Sequence, residues 1–310
     1  MTSLTVRPMT PADRTEVADL IYTSINTWYQ RRGLPQIFHG GPQVTDVFYE
    51  VYQALEPGCA VVAPHPVTGR LMGSCFYHPR PHHVALGIMT VHPDYFGQSV
   101  GRELLRYIID FTERNGLPAL RLTQSALNLD SFSLYNKAGF VPRCAYQDMV
   151  LAVPATGFQP AVAGRERVRD ATLADVPAMA ALEKDVSGVT REQDYRYCID
   201  NALGFWHTSV YENAAGGIDG FLASSRHAAV NMLGPGVCRT EDQAIALIAR
   251  ELDVNRGRSP VVLVPVERTR IVRQMYEWGA RNCELHFCQV RGEFQPFAGI
   301  NLPTFLLETA

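Results

Sequence analysis

One segment constrains the fold of this chain more than any other, the stretch from Val84 to Phe140. It runs from an apolar strand into a turn that carries glycines, then into a long amphipathic helix, a second strand and a short helix. A strand that leads through a glycine turn into a helix creates an anion site, because backbone N–H groups point outward and the helix dipole favours negative charge. The segment therefore predicts α/β layering with an anion-binding turn.

The long helix of this segment is predicted to begin at Gln98. Its apolar residues recur at helical spacing on one face, which indicates packing on a sheet. They are Val100, Leu104, Leu105, Ile108 and Ile109. Gly97 and Gly101 leave room for a ligand close to the backbone. Taken alone, this glycine pattern is weak evidence, because ordinary turn chemistry explains it equally well.

Composition excludes several classes of protein. The 310 residues exceed one typical core, so two domains are expected. The net charge of −3, without clustered Lys and Arg, argues against a nucleic-acid partner. The sequence shows neither a membrane-length apolar run nor a signal-peptide core. Seven scattered cysteines, without framework spacing, predict reduced thiols, and we expect a cytoplasmic protein.

Cys283 and Cys288, with His286 close by, raise the question of a metal site. Structural zinc sites use paired cysteines or histidines, and no second pair accompanies these residues. We therefore predict two buried strand cysteines and no metal ion.

The chain contains a faint duplication. Residues 6–13 are echoed by residues 168–175, each a short strand followed by a Thr turn and an Asp close to a helix start. Thr10 and Thr172 suit the N-cap position, because their hydroxyls can accept a hydrogen bond from free helix N–H groups. Chance similarity of such short strings is the alternative.

A second echo in the same order favours duplication: residues 134–140 correspond to residues 275–280. A stretch rich in Pro, Gly and Ala between the copies is typical of a linker. We predict a first domain at 1–155, a linker at 156–165 and a second domain at 166–310.

The first half reads as strands that alternate with helices. The predicted strands are 4–8, 59–64, 70–78, 84–91, 119–123 and 144–153. The predicted helices are about 11–30, 44–56, 98–115 and 128–138.

The segment resembles the GNAT superfamily of acyl-CoA-dependent N-acyltransferases. The likeness rests on a strand that ends in Val-x-Pro at Val91, the glycine turn, Leu-Leu in the helix, then Asn128 and a Tyr-x-x-x-Gly-Phe pattern that ends at Phe140. It covers about residues 4–150 and is sharpest over 88–140. The resemblance implies two tandem GNAT-like domains of the α/β (α+β) class, each a central mixed β-sheet flanked by helices.

The resemblance also implies the co-substrate, acetyl-CoA, with its pyrophosphate on backbone N–H groups of the loop before the long helix. Val91 and its neighbours pair with the pantetheine arm, and the Val91 N–H serves as an oxyanion donor. Tyr135 matches the tyrosine that protonates the departing thiolate, with simple packing as its alternative. The residues expected at the coenzyme are Met89, Thr90, Val91, Phe96, Gly97, Gln98, Ser99, Val100, Gly101, Arg102, Asn128, Ser133 and Tyr135.

Two positions depart from the family pattern. Phe96 stands where the family usually has Arg or Gln, and Ser99 stands where it usually has Gly. Ser99 is tolerable if its φ is negative, and its hydroxyl could add a phosphate contact. We expect coenzyme binding to survive, because Phe96 keeps its backbone N–H.

The sequence does not identify the general base or the acceptor amine. Many family members use a Glu on the strand before the loop, and strand 84–91 has no carboxylate. His78, His82 and His83 are candidates because His titrates near neutral pH; a water chain or a partly neutral amine are alternatives. The aromatic segment 28–48 is a candidate lid of the acceptor cleft, with ordinary helix packing as its alternative.

The second copy lacks the glycine pattern before its matching helix. Glu241 and Asp242 would repel a pyrophosphate there, so we expect a degenerate copy that binds no coenzyme and a Tyr276 that lies in the core.

We therefore predict an N-acetyltransferase that moves an acetyl (acyl) group from acetyl-CoA to a primary amine of a small molecule or peptide, directly, in a ternary complex. A non-catalytic acyl-CoA-binding sensor or scaffold is the alternative. Mycothiol synthase, another tandem enzyme of the family, ranks lower, because its second domain carries the intact loop. No membrane partner is expected, and a homodimer is left open.

Overall fold

The computed structural model describes residues 4–307. By compactness the chain divides into two units, Met1–Leu120 and Arg121–Ala310. The linker predicted at 156–165 separates the two sequence copies and stays a prediction. No helix within 4–307 is long and apolar enough to cross a membrane.

The first unit is an antiparallel sheet packed with three helices. Its strands lie in the order β1-β2-β3-β4. They are β1 (Arg7–Pro8), β2 (Ala60–Pro64), β3 (Leu71–Pro79) and β4 (Val84–Val91). Its helices are α1 (Arg14–Gln30), α2 (Asp46–Leu55) and α3 (Val100–Arg114). The predicted elements are recovered with shifts of a few residues at their ends.

Helix α3 forms because its apolar residues share one face. Val100, Leu104, Leu105 and Ile108 are buried, as predicted, whereas Ile109 is only half-buried. The helix begins two residues after the predicted Gln98, because Ser99 has a left-handed backbone and cannot continue a right-handed helix.

The second unit contains the remaining elements, with the start of β5 on the other side of the division. Its strands are β5 (Ala119–Ser125), β6 (Val141–Val150), β7 (Val168–Asp170), β8 (Trp206–Glu212), β9 (Ile218–His227), β10 (Val230–Cys238), β11 (Val261–Pro265), β12 (Arg281–Gly292) and β13 (Ile300–Leu302). Its helices are α4 (Leu129–Lys137), α5 (Val176–Ser187), α6 (Glu192–Asp200), α7 (Glu241–Val254) and α8 (Thr269–Glu277).

The strand order of this unit is β5-β12-β6-β11-β10-β9-β8-β7, and β13 pairs with β10. β10 and β11 run parallel, whereas β9 with β10, β11 with β6 and β12 with β6 run antiparallel. The predicted mixed sheet flanked by helices is therefore confirmed.

The last strands of the two copies exchange places. β6 ends the first copy in sequence, yet it pairs with β11, where Met149 faces Val262. β12 ends the second copy, yet it lies between β5 and β6, where Leu285 faces Gln147. Each copy therefore completes its sheet with a strand of the other.

The start of each copy has the same local structure. Asp13 accepts hydrogen bonds from Arg7 at 2.7 and 2.8 Å, from the Thr10 N–H at 2.7 Å and from the Thr10 hydroxyl at 2.8 Å. The Arg7 hydrogen bond lowers the pKa of Asp13 to about 2. The second copy repeats this arrangement with Arg169, Thr172 and Asp175.

This repetition supports the duplication. Each threonine occupies the N-cap position of a short 3-10 turn, as predicted. The threonine forms a capping box with the aspartate at N3, and its hydroxyl also lies in hydrogen-bond contact with the aspartate carboxylate.

Candidate functional site

The site of the first unit is built on the end of strand β4, which carries a bulge. Tyr77 pairs with Leu86 and Cys75 pairs with Met89, so β4 has one more residue than β3 between these pairs. Gly87 lies in the bulge, and a Cβ there would meet His78 Nε2 at 2.9 Å and the Phe76 carbonyl oxygen at 3.1 Å. Glycine is thus required at this close approach, and the bulge re-aims the end of the strand.

The end of β4 presents a backbone donor on the edge away from β3. The His92 N–H donates to the Met72 carbonyl at 2.8 Å. Because successive N–H groups of a strand point to opposite edges, the Val91 N–H points away from β3. The Thr90 side chain is buried, with its hydroxyl 3.0 Å from that of Ser74. Met89 and Val91 are half-buried.

The loop after β4 leaves a row of backbone donors at the start of α3. A 3-10 turn at Pro93–Tyr95 leads to Gly97 and Ser99, both with positive φ. Within residues 4–307 we find no backbone acceptor for the N–H groups of Gly97, Ser99, Val100, Gly101 and Arg102. No side chain in the same range caps the helix at Ser99.

Ser99 does not meet the condition set for it from sequence. Its φ is +66°, in the left-handed region. A non-glycine residue costs about 1–2 kcal/mol there, because Cβ approaches the neighbouring carbonyl oxygen. At position 99 the loop therefore has the backbone conformation of a glycine turn, although the residue there is serine.

Gly73 seats the first turn of α3 on the sheet. A Cβ at Gly73 would lie 2.8 Å from Val100 Cγ1 and 2.9 Å from the Thr90 carbonyl oxygen. The helix start therefore packs directly on β3, and the donor row is held by the sheet and not by a mobile loop.

The side chains of the loop contribute little to this donor row. The Gln98 amide donates to the Asp94 carbonyl at 3.0 Å and so closes the turn. Arg102 lies 3.7 Å from Glu103. Phe96 is 41% exposed.

The other predicted coenzyme residues lie at helix α4, in the second unit. Asn128 caps α4, and its side-chain oxygen accepts from the Ser131 N–H at 3.1 Å. A ligand contact of Asn128 would therefore fall to its amide NH₂ group. Ser133 is exposed. Tyr135 is only 6% exposed, with its ring centroid 5.6 Å from that of Phe140.

The candidate general bases differ in exposure. His78 and His83 are fully buried, and the His78 ring lies 4.6 Å from that of Tyr52. His82 is exposed. Burial places the first two within the packing of the unit, and the third is accessible to solvent.

The predicted lid is anchored by Asn26, a residue not among the predicted site residues. The Asn26 amide donates to the Phe38 carbonyl at 2.9 Å, and its oxygen accepts from the N–H groups of Ile37 and Phe38 at 3.1 and 2.9 Å. Phe38 is buried against Phe48. A polar residue among the buried positions of α1 was the available signal.

The corresponding helix start of the second copy is closed by its own side chains. Thr240 and Gln243 form a capping box at α7, in which the Thr240 N–H donates to Gln243 at 3.0 Å. Glu241 turns to the start of α8 and accepts from the N–H groups of Arg270 and Ile271 at 3.0 and 3.1 Å. Glu241 and Asp242 thus lie in the first turn of α7, where we predicted that they would repel a pyrophosphate.

Tyr276 is not a core residue, and that prediction is wrong. It is 48% exposed, and its hydroxyl donates to the Gln147 side chain at 3.1 Å. The buried face of α8 is formed by Ile271 and Met275 instead.

The exchanged strands bring together a polar group with no signal in the sequence. Asp148, Glu284 and His286 offer ligand atoms within 4.8 Å of one another and could hold a cation. His286 Nδ1 lies 2.9 Å from the Asp148 carboxylate. Burial raises the pKa of Asp148, although the hydrogen bond with His286 opposes the shift.

Cys283 is exposed, so only Cys288 fits the predicted pair of buried cysteines.

Comparison with known proteins agrees with this architecture. Residues 22–140 match the acetyltransferase (GNAT) family. The UPF0157 protein YqkA of Bacillus subtilis is 33% identical over 72 residues, which cover 23% of this chain and 20% of that protein. The chain thus spans about a fifth of that relative's length.

Several solved structures share the fold over nearly the whole chain. A Pyrococcus horikoshii protein provisionally named an acetyltransferase has a TM-score of 0.73 at 15% identity, with 97% of this chain and 95% of that chain covered. A GCN5-related N-acetyltransferase from Sphaerobacter thermophilus has a TM-score of 0.63 at 16% identity, with coverage of 96% and 98%. A tandem GNAT protein from the clavulanic acid biosynthesis pathway has a TM-score of 0.61 at 13% identity, with coverage of 94% and 98%. The match to the acetyltransferase (GNAT) family thus covers residues 22–140 of this chain, and the fold of these solved structures extends over nearly the whole chain.

Proposed function

We propose that this chain is an N-acetyltransferase that moves an acetyl group from acetyl-CoA to a primary amine of a small molecule or peptide. The observation that carries the proposal is the start of α3, where the N–H groups of residues 97 and 99–102 have no backbone acceptor within 4–307. A helix start of this kind favours a pyrophosphate, because the N–H groups and the helix dipole both attract negative charge.

The end of β4 supplies the second part of the proposal. The Val91 N–H lies on the edge of β4 away from β3 and would donate to the thioester carbonyl oxygen as negative charge develops there. Met89 would pair with the pantetheine arm through its backbone, as Val91 does, whereas the Thr90 N–H points toward β3 and the Thr90 hydroxyl is bonded to Ser74.

The residues at α4 receive their roles from the family resemblance. The Asn128 amide and Ser133 would contact the arm of the coenzyme. Tyr135 would donate its hydroxyl proton to the thiolate that leaves, which suits a phenol because its usual pKa is about 10.

The acceptor amine must lose a proton before it attacks, and we propose that no side chain of β4 accepts this proton. Strand Val84–Val91 carries no carboxylate, and His78 and His83 are buried. The exposed His82 or a water chain remain for this step. Direct transfer needs no covalent intermediate on the protein, so the amine would attack the thioester in a ternary complex. We propose that this takes place in the cytoplasm, without a nucleic-acid or membrane partner.

The missing carboxylate favours one second candidate, a non-catalytic acyl-CoA sensor or scaffold. Such a protein needs the donor row of α3 but neither a base nor Tyr135. The two functions differ in a single observable, the amine-dependent release of free coenzyme A.

Thiol release measured with a panel of amines and peptides separates these functions. An N-acetyltransferase releases free thiol from acetyl-CoA only when the right amine is present. Calorimetric binding of acetyl-CoA without release across a broad panel would support the sensor. Absence of binding at millimolar acetyl-CoA would contradict both.

A further inference from the structure

Position 96 of the coenzyme loop lacks the side-chain donor that the family usually has, and a cation from another element lies beside it. The Arg31 guanidinium lies over the Phe96 ring, with its carbon 5.7 Å from the ring centroid. Arg31 follows the last residue of α1, and α1 contacts the turn Pro93–Tyr95 that opens the loop. The positive charge lost at position 96 is thus present again close to the same loop.

The positive charge of Arg31 is not used in an ion pair within residues 4–307. Within residues 4–307 its guanidinium has no carboxylate or carbonyl partner. An aromatic face attracts a cation without neutralising it, so stacking on Phe96 orders the guanidinium and leaves its N–H donors free. Arg102, the other cation at the loop, lies beside Glu103 instead.

The neighbouring arginine provides a natural comparison. Arg32 lies over the Trp28 ring at 3.9 Å and donates to the Trp28 carbonyl at 3.1 Å. Both arginines are exposed and both follow α1. Only Arg31 is directed to the loop that begins α3.

We propose that Arg31 is a coenzyme-binding residue that donates to the pyrophosphate of acetyl-CoA and replaces the side chain missing at Phe96. The planar guanidinium suits phosphate oxygens, because its N–H groups form paired, charge-assisted hydrogen bonds. This inference rests on the proposed coenzyme binding at the start of α3. It assigns Phe96 a role as well, that of a platform which holds the arginine.

Binding measurements on three variants test the assignment. We expect Arg31→Ala to weaken acetyl-CoA binding about tenfold, since it removes charge-assisted hydrogen bonds to phosphate. Arg32→Ala, the matched control, should change the dissociation constant by less than about twofold. The double variant Arg31→Ala/Phe96→Arg should recover most of the loss, because it returns a guanidinium to the position used by the family.

Parallel titrations with 3′-dephospho-coenzyme A identify the phosphate. Equal loss in Arg31→Ala with either ligand supports contact with the pyrophosphate. Loss only with the 3′-phosphorylated ligand would overturn that assignment. Equal affinities of Arg31→Ala and wild type, with unchanged melting temperatures, would show that Arg31 merely covers Phe96. A wild-type chain that binds neither ligand would overturn the proposed function, and this inference with it.

Discussion

The two copies differ most where each begins its long central helix. At α3 the chain passes through Gly97 and Ser99 in left-handed geometry, and no side chain within 4–307 caps the helix. At α7, Thr240 and Gln243 cap the helix reciprocally, and Glu241 reaches the N–H groups at the start of α8. The start of α3 carries no side-chain cap, whereas at α7 the Thr240 side chain caps the Gln243 N–H and two acidic residues occupy the first turn.

From this difference we propose that the fold holds a binding copy and a structural copy. A capping box adds stability because it satisfies helix donors with the chain's own oxygens. A bare start with a strained Ser99 forgoes that stability, which is reasonable only where a ligand supplies the missing acceptors. The following predictions test whether this division between the copies is real.

The largest effect is expected from Gly97→Glu, which places a carboxylate at the donor row. We expect acetyl-CoA binding to weaken at least about 100-fold, or about 2.7 kcal/mol, through steric block and charge repulsion. Gly58→Glu is the matched control, because Gly58 also has a positive φ and open space around its Cβ. Both variants carry the same backbone strain, so calorimetry should separate their affinities while their melting temperatures agree. Equal affinities would remove the site from this loop.

Tyr135→Phe tests the acid role in the first copy. Turnover should fall about 100-fold, since general acid catalysis contributes about 10²–10⁴, whereas the dissociation constant of acetyl-CoA should change little. Tyr276→Phe alters the corresponding tyrosine of the second copy, whose hydroxyl only contacts Gln147. Steady-state rates that are the same for both variants would show that Tyr135 is not the acid.

Ser99→Gly should relieve strain at the start of α3. We expect the free energy of unfolding to rise by up to about 1 kcal/mol, because glycine adopts a positive φ without steric cost. Asp110→Gly, at an exposed position inside the same helix, should have the opposite sign. Urea unfolding would measure both. A destabilised Ser99→Gly would mean that the serine hydroxyl stabilises the loop.

Glu241→Ala tests the closed start of the second copy. Loss of the contact with Arg270 and Ile271 should destabilise the protein by about 1 kcal/mol and leave acetyl-CoA affinity unchanged. Asp242→Ala removes only an exposed ion pair with Arg270 and should cost less. A change in acetyl-CoA affinity in Glu241→Ala would mean that the second copy also takes part in binding.

The smallest expected effect is a change of stability with pH, caused by a buried polar network in the second copy. Glu251 is fully buried and contacts Ser209, Ser224 and His207. Burial alone would lower the pKa of His207, but the hydrogen bond and charge of Glu251 raise it overall. A raised pKa stabilises the fold below the unfolded value near 6.5 and loses that contribution as pH rises through the folded value.

The melting temperature should therefore fall modestly between about pH 6 and 8. His207→Gln should be less stable at acidic pH and show a flatter profile. A wild-type profile that rises over this range, and a variant that follows it unchanged, would refute the assignment.

The sequence predicted those parts that depend on neighbouring residues. Helix α3, strand β4 and the turn between them follow from apolar spacing and glycines within one segment. The N-cap positions of Thr10 and Thr172 were predicted because each lies three residues before an aspartate, with which it forms a capping box. Local rules thus located the candidate coenzyme loop.

Properties that depend on distant residues were not predictable. The exchange of β6 and β12 needs long-range pairing, and it alone brings Asp148 next to His286. The positive φ of Ser99 comes directly before Val100, which packs against Gly73 from a distant part of the sequence. Arg31 beside Phe96 is likewise a contact across the fold.

The number of coenzyme sites in one chain tests the proposed division between the two copies. Isothermal titration of the wild-type chain with acetyl-CoA should give one site per chain, and Gly97→Glu should abolish it. Two sites per chain, or one site that survives in Gly97→Glu, would contradict the division between a binding first copy and a closed second copy.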